Sequence, residues 1–170
     1  MLGLVLLYVG AVLFVNGLTM LEKIAPKEAA IMNIFAGGVA LFASMLQAAN
    51  DEPLLLRDAA FGLLFGFTYL WVAYNSLTGQ DGRGLGWFSL FVAVTATLVT
   101  IDEFAGARNV AQFWLAASWA AWALLWACFF AIGALGRGSW QRPVGWFSIG
   151  QAVLTAWLPG YLRLSGHMPN

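Results

Sequence analysis

The stretch VAQFWLAASWAAWALLWACFFAIGAL, residues 110–135, contains no charged residue and is bounded by Arg108 and Arg137. An α-helix of that length measures about 39 Å, which exceeds the ~30 Å hydrocarbon core of a bilayer. A soluble domain of 170 residues could not bury so much apolar surface in one core. The stretch therefore predicts a membrane-spanning helix.

The rest of the chain repeats this pattern. Of its 170 residues 61% are hydrophobic and 9% are charged, and the charged residues fall almost entirely between apolar stretches. Besides residues 110–135, the predicted spans are residues 2–21, 29–49, 59–77, 85–101 and 143–164. Backbone polar groups in lipid must bond within their own segment, as they do in a helix. We therefore predict an all-α membrane protein in which six transmembrane helices form a single domain, residues 1–170.

The distribution of basic residues predicts the topology. An even number of spans places both termini on one side of the membrane. The connections after the first, third and fifth spans hold five of the eight Lys and Arg residues, and the opposite side holds Arg57, Arg108 and Arg163. Basic residues favour the cytoplasmic side, so both termini are expected on the opposite, outer side of the membrane.

Two short segments indicate an internal repeat. Trp87-Phe88-Ser89 opens the fourth predicted span, and Trp146-Phe147-Ser148 opens the sixth. This echo favours a bundle of repeated two-helix hairpins around an axis. Chance similarity between helices rich in Trp and Ala is the alternative.

Composition excludes several classes of function. The net charge is zero, so no nucleic-acid partner is expected. The single cysteine, Cys128, and the single histidine, His167, supply neither zinc-ligand spacing nor a catalytic set. We therefore expect no enzyme activity, no cofactor and no metal. No predicted span has an ionisable group at its centre, which argues against ion-coupled transport and favours a neutral solute.

Aromatic residues mark a candidate path through the membrane. Trp119, Trp122 and Trp126 recur at i, i+3 and i+7 in the fifth predicted span, so they share one face. Phe65 and Tyr69 lie one turn apart in the third span. Such a wall suits a small flat polar solute such as urea or acetamide, whereas hydrated ions would lose their hydration shell there. A packing stripe against a neighbouring helix, or a pore for water or gas, is the alternative.

Several stretches, in order along the chain, resemble the AmiS/UreI family of bacterial urea and short-chain amide channels. They are MLGLVLLYVG at residues 1–10, GLLFGFTYL at 62–70, WFSLFV at 87–92, the tryptophans of the fifth span, and LTAWLP at 154–159. The resemblance implies an inner-membrane protein with six helices per protomer, periplasmic termini, a pore in each protomer and a homo-hexameric ring set in membrane lipid. The pore positions that it implies are Leu6, Val9, Leu13, Phe65, Tyr69, Trp119, Trp122 and Trp126. Gln151, a ninth candidate pore residue, lies in the apolar interior of the sixth span and stands where the acid-gated urea channel has a glutamate. Gln151 and Thr155, one turn further on, are candidates for hydrogen bonding to the solute.

The connection between the second and third predicted spans departs from the acid-gated branch. Acid-gated members carry a long, His-rich loop there, whereas residues 50–58 are short and contain no histidine. The acidic residues Asp51, Glu52, Asp58, Asp102 and Glu103 are left as groups that could respond to lower pH. The resemblance is closer to the amidase-operon branch.

We therefore predict a passive channel for small neutral amides, urea or both, without a histidine gate, that supplies a cytosolic amidase or urease. A proton-coupled amide transporter is one alternative. A second is a non-transporting scaffold that binds an amidase through residues 22–28, 79–84 and 136–143.

Overall fold

A computed structural model describes residues 1–50 and 52–168, so the expectation for Asp51 lies outside the described residues. These residues form six helical rods. Five are unbroken helices that are long and apolar enough to cross a membrane: α1 (Leu2–Met20), α2 (Pro26–Ala48), α3 (Pro53–Thr78), α4 (Arg83–Gly106) and α5 (Val110–Gly133). A 3₁₀ turn (Gly138–Trp140) then leads into the sixth rod, which consists of α6 (Gln141–Gln151), a π-helical segment (Ala152–Trp157) and α7 (Leu158–Leu164). The predicted all-α, six-helix fold is confirmed.

The largest differences from the predicted spans are in α3 and α4, which are both longer than predicted. α3 begins at Pro53 rather than at residue 59, so Arg57 and Asp58 belong to its first turns. Proline suits this position because the first turn of a helix needs no backbone N–H there. α4 ends at Gly106 rather than at residue 101, and Glu103 lies in its last turn. Charged side chains are tolerated at helix ends because they can reach the membrane–water interface.

The helices pack as three pairs. α2 lies against α3, α4 lies against α5, and the sixth rod lies against α1. The first two pairs are hairpins, as predicted, but the third pair joins the first helix of the chain to the last. Trp87 and Trp146 therefore begin equivalent helices in two of the three pairs. We interpret their sequence echo as a trace of this arrangement.

Glycines allow the closest approaches within the pairs. A Cβ atom on Gly86 would lie 2.9 Å from the carbonyl carbon of Gly133, so only glycine permits this contact between α4 and α5. Gly145 meets Gly17 in the same way between α6 and α1, where a Cβ would lie 3.1 Å from the Gly17 oxygen. At the far end of α1, Gly3 lies against Arg163, so both ends of the chain are on the same side of the bundle.

The outer surface of the bundle is apolar. Phe35, Phe42, Phe91 and Leu98 are each more than half exposed, whereas the contacts between helices are rich in Ala, Gly and Ser. Lipid tails solvate large apolar side chains, and small residues let helix backbones approach closely. This distribution is that of a bundle surrounded by lipid.

The sixth rod passes Pro159 without breaking, although a proline inside a helix usually kinks or ends it. The backbone N–H of Leu158 donates to the Val153 oxygen, five residues back, in π-helical register. In the same register the Leu154 oxygen would face Pro159, which has no N–H. The indole Nε1 of Trp114 on α5 donates to that oxygen at 2.8 Å. A side chain of α5 therefore satisfies the carbonyl that the proline leaves without a backbone donor.

Candidate functional site

Three cavities follow one another through the bundle between α1, α3 and α5. A cavity of about 130 Å³, the terminal vestibule, lies toward the end that holds both chain ends and is lined by Leu2, Leu6, Val9, Asp58 and Trp119, among others. A cavity of about 310 Å³, the loop vestibule, lies toward the α3–α4 connection and is lined by Asn16, Val72, Ser76 and Asp81, among others. Between them lies a cavity of about 20 Å³, the constriction. The constriction is lined by Leu13, Phe65, Thr68, Tyr69, Trp122, Leu125, Trp126 and Phe129.

The structure brings eight of the nine predicted site residues onto this one line. Leu6, Val9 and Trp119 line the terminal vestibule. The other five line the constriction: Leu13, Phe65, Tyr69, Trp122 and Trp126. All eight side chains are buried, and the three indoles are only 8%, 3% and 4% exposed in chain order. The tryptophan face therefore points into the protomer and not toward lipid.

Phe65 lies at the centre of the aromatic wall. Its ring centroid is 5.7 Å from Trp119, 5.1 Å from Trp122 and 4.7 Å from Trp126, with each pair edge to face. Tyr69 lies one turn further along α3, with its centroid 6.5 Å from that of Phe65. Edge-to-face pairs are favourable contacts of about 0.5–1.5 kcal/mol each. One phenylalanine on α3 thus contacts three indoles of α5, two of which, Trp122 and Trp126, line the constriction.

Two of the indole N–H groups are bonded to threonines. Trp122 Nε1 donates to Thr155 Oγ1 at 2.9 Å, and Trp126 Nε1 donates to Thr68 Oγ1 at 3.3 Å. Each threonine hydroxyl in turn donates to a backbone oxygen of its own helix, at 2.7 Å in both cases. These bonds satisfy polar groups that lipid cannot solvate and fix the orientation of the rings. Thr155, which the sequence suggested as a contact for the solute, acts here as the anchor of Trp122.

Gln151, the ninth predicted residue, has a different position. It is buried on α6 and does not line any of these three cavities. Its Nε2 donates to the backbone oxygen of Ala121 on α5 at 2.9 Å, and its Oε1 has no hydrogen-bond partner among the described residues. The amide therefore joins the sixth rod to α5, which is the packing role of a polar residue in a membrane helix.

Carboxylates lie at both ends of the path. Asp58 and Glu103 line the terminal vestibule, and the Arg57 guanidinium contacts Glu103 at 3.1 Å. Asp81 lines the loop vestibule and accepts hydrogen bonds from the backbone N–H and the Nε of Arg83. These bonds, first from the backbone and then from the guanidinium, lower the pKa of Asp81, so it stays ionised in mildly acidic solution.

Sequence reasoning missed several polar residues in the path, among them Asn16. Asn16 lines the loop vestibule in the apolar helix α1. A carboxamide within a membrane span needs a hydrogen-bond partner. The first two predicted spans each contain one asparagine, Asn16 and Asn33, which could have suggested that the two are bonded. The sequence alone could not establish this contact, because it depends on how α1 and α2 pack.

The constriction is chemically neutral. Its eight lining residues include no carboxylate, amine or imidazole. Within residues 1–50 and 52–168, no group of three or more His, Cys, Asp or Glu side chains is arranged to hold a metal ion. The walls offer aromatic and aliphatic surface, the Tyr69 phenol and a threonine hydroxyl, so they suit a flat neutral solute better than an ion.

Comparisons with known proteins give a consistent result. The family model described as AmiS/UreI family transporter matches residues 1–167. A Mycolicibacterium smegmatis protein named as an amidate substrates transporter is 41% identical over 169 residues, which cover 97% of this chain and 77% of that protein. The acid-activated urea channel of Helicobacter pylori is 35% identical, with 98% of this chain and 99% of that protein covered.

The fold is also that of a solved channel. The cryo-EM structure of the Helicobacter pylori urea channel in a closed state matches with a TM-score of 0.86 and 36% identity, covering 99% of this chain and 100% of that chain. A crystal structure of the same urea channel matches with a TM-score of 0.84, covering 98% and 99%. The alignment with the urea channel sequence spans 198 positions, more than the 170 residues of this chain, so that channel carries insertions.

Proposed function

The chain belongs to the AmiS/UreI family, whose members are channels and transporters rather than enzymes, and on this premise we propose that it is a passive channel for small neutral amides and urea. The solute would move down its gradient through the two vestibules and the constriction. The relatives named as an amidate transporter and as a urea channel support this solute class.

The observation that carries the proposal is the neutral constriction between two wider cavities. A cavity of about 20 Å³ holds roughly one water molecule. A planar amide would therefore pass only when one of the aromatic rings moves aside. The plane of the amide would then lie against the indoles. Ions would be rejected because aromatic walls cannot replace a hydration shell. A neutral solute gains nothing from the membrane potential, so transport would follow the concentration gradient alone.

The setting of the channel is part of the same proposal. We propose that the protomer lies in a bacterial inner membrane with both termini in the periplasm and that protomers assemble as a hexamer. A cytosolic amidase or urease would consume the solute and maintain the gradient. A hexamer would bury part of the apolar outer surface, which is extensive on every helix pair.

The experiment is stopped-flow light scattering of liposomes that contain the purified protein. Urea and acetamide influx should be much faster than into empty liposomes and should stop when the concentrations are equal. Accumulation of acetamide above its outside concentration, abolished by a protonophore, would instead establish the proton-coupled alternative. Influx no faster than in empty liposomes would overturn the proposal and favour the scaffold interpretation.

A further inference from the structure

Two asparagines from neighbouring helices form a reciprocal pair beside the loop vestibule. Asn16 Nδ2 donates to Asn33 Oδ1 at 3.0 Å, and Asn33 Nδ2 donates to Asn16 Oδ1 at 2.6 Å. The second N–H of Asn33 donates to the Ala29 oxygen, one turn back on α2, at 2.9 Å. Each carboxamide is thus bonded to the other in the way that two primary amides associate.

The two asparagines differ in exposure and in the hydrogen-bond donors that remain free. Asn33 is 0% exposed and uses both of its amide hydrogens. Asn16 is partly exposed and lines the loop vestibule. A carboxamide has two N–H donors and two oxygen lone pairs, so Asn16 keeps one donor and one lone pair after pairing. Asn33 therefore holds the Asn16 amide in place, and Asn16 presents its remaining polar groups to the cavity.

The position of Asn16 along the path gives these groups a use. Asn16 follows Leu13, a residue of the constriction, by one turn of α1, so both side chains face the same cavity. A solute that enters the constriction must first give up hydrogen bonds to water. Within the constriction itself, Thr68 already donates to Leu64 and accepts from Trp126. The free donor and acceptor of Asn16, on the loop-vestibule side of the constriction, would replace part of the hydrogen bonds to water that the solute loses.

We infer that Asn16, oriented by Asn33, is a recognition group for primary amides and urea at the loop-vestibule end of the constriction. Its N–H binds the carbonyl oxygen of the solute, and its oxygen binds a solute N–H. This inference rests on the proposed function and adds to it the residue that distinguishes an amide from other small neutral molecules. A purely structural role for the pair, as a link between α1 and α2, is the competing interpretation.

The test compares three variants with the wild type in liposomes. Asn16→Leu removes the recognition group, and Asn16→Leu/Asn33→Leu removes the pair without leaving a buried amide unpaired. The control is Thr95→Val, which removes a hydroxyl bonded to the Phe91 oxygen on the exposed face of α4. The measurements are initial acetamide and urea influx as a function of concentration, and osmotic water permeability in the same vesicles.

We expect both Asn16 variants to need about three- to tenfold more amide for half-maximal influx, the range for one neutral hydrogen bond. Water permeability should be unchanged in these variants, and Thr95→Val should match the wild type throughout. Unchanged amide influx in both Asn16 variants would overturn the inference but leave the channel intact. A parallel fall in water and amide permeability would assign the pair a structural role only. Absence of amide influx in the wild type would overturn the proposed function itself.

Discussion

Replacing Trp122 with alanine should widen the path and weaken its size selectivity. The indole lines both the terminal vestibule and the constriction, and its N–H is held by Thr155. The substitution removes on the order of 100 Å³ of side chain, to judge from the packing density of protein interiors. This opens a gap on the order of 100 Å³ where the wild-type constriction holds roughly one water molecule.

That gap changes which amides fit. Urea and acetamide each occupy about two to three water volumes, ~60–90 Å³, whereas malonamide needs about four to five, ~120–150 Å³. Steric exclusion by one group in a fitted site is worth at least about tenfold. We therefore expect malonamide permeability of Trp122→Ala to rise about tenfold or more, while urea permeability changes less than about threefold.

The assay is stopped-flow influx of urea and malonamide into liposomes at matched protein density. The matched control is Trp87→Ala, which removes the same ring from the exposed outer face of α4, where it contacts only Phe130 among the aromatic rings of the described residues. The control should keep the wild-type ratio of urea to malonamide permeability. If folded Trp122→Ala also keeps that ratio, the indole only packs against Phe65, and the constriction assigned here is not the selective part of the path.

Three further outcomes follow from the structure. Urea influx should stay within about twofold between pH 5 and 7.5, since residues 50–58 contain no histidine and the single histidine, His167, lies beyond the last helix. A steep rise in acid would contradict this. Gly10→Leu should prevent stable folding, because a Cβ there would lie 2.7 Å from a backbone nitrogen of the π-helical segment. Gly38→Ala should fold normally, since nothing lies within 4 Å of that Cβ position. Size-exclusion chromatography in detergent would distinguish the folded variant from the aggregated one. Trp114→Phe should cost about 0.5–1.5 kcal/mol of stability by removing the donor to the π-helical segment, and a thermal midpoint equal to that of the exposed Trp146→Phe would refute this account.

The sequence sufficed for the spans and for naming eight residues that line the terminal vestibule or the constriction. Long uncharged stretches identify membrane helices regardless of how they pack, and the spacing of Trp119, Trp122 and Trp126 places them on one face of α5. Which way that face points depends on the neighbouring helices. The structure settles that the face is buried, because Phe65 of α3 lies against all three rings.

What the sequence could not supply depends on contacts between distant segments. The pairing of α1 with the sixth rod joins residues more than a hundred positions apart, as in the bond from Ser148 Oγ to the Leu13 oxygen at 3.0 Å. The π-helical segment could not be predicted for the same reason, since the hydrogen-bond donor that compensates for Pro159 comes from α5. Gln151 was singled out as a polar residue inside an apolar span and by its place in the resemblance, and only packing distinguishes an amide that bonds to Ala121 from one that faces the path.

In the proposed channel, the arrangement of polar groups along the path would favour amides without binding ions. Carboxylates are confined to the two vestibules, where Arg57 and Arg83 lie beside Glu103 and Asp81. In the constriction, the hydrogen bonds of Trp122, Trp126 and Thr68 fix the orientation of the rings. The aromatic surface is left to contact the solute. An ion meets no group there that could replace its hydration shell. A planar amide would lose fewer hydrogen bonds to water than an ion. The Asn16 carboxamide proposed as a recognition group would replace some of them at the approach. Selection by hydrogen bonding and selection by shape would then operate at successive points of the same path.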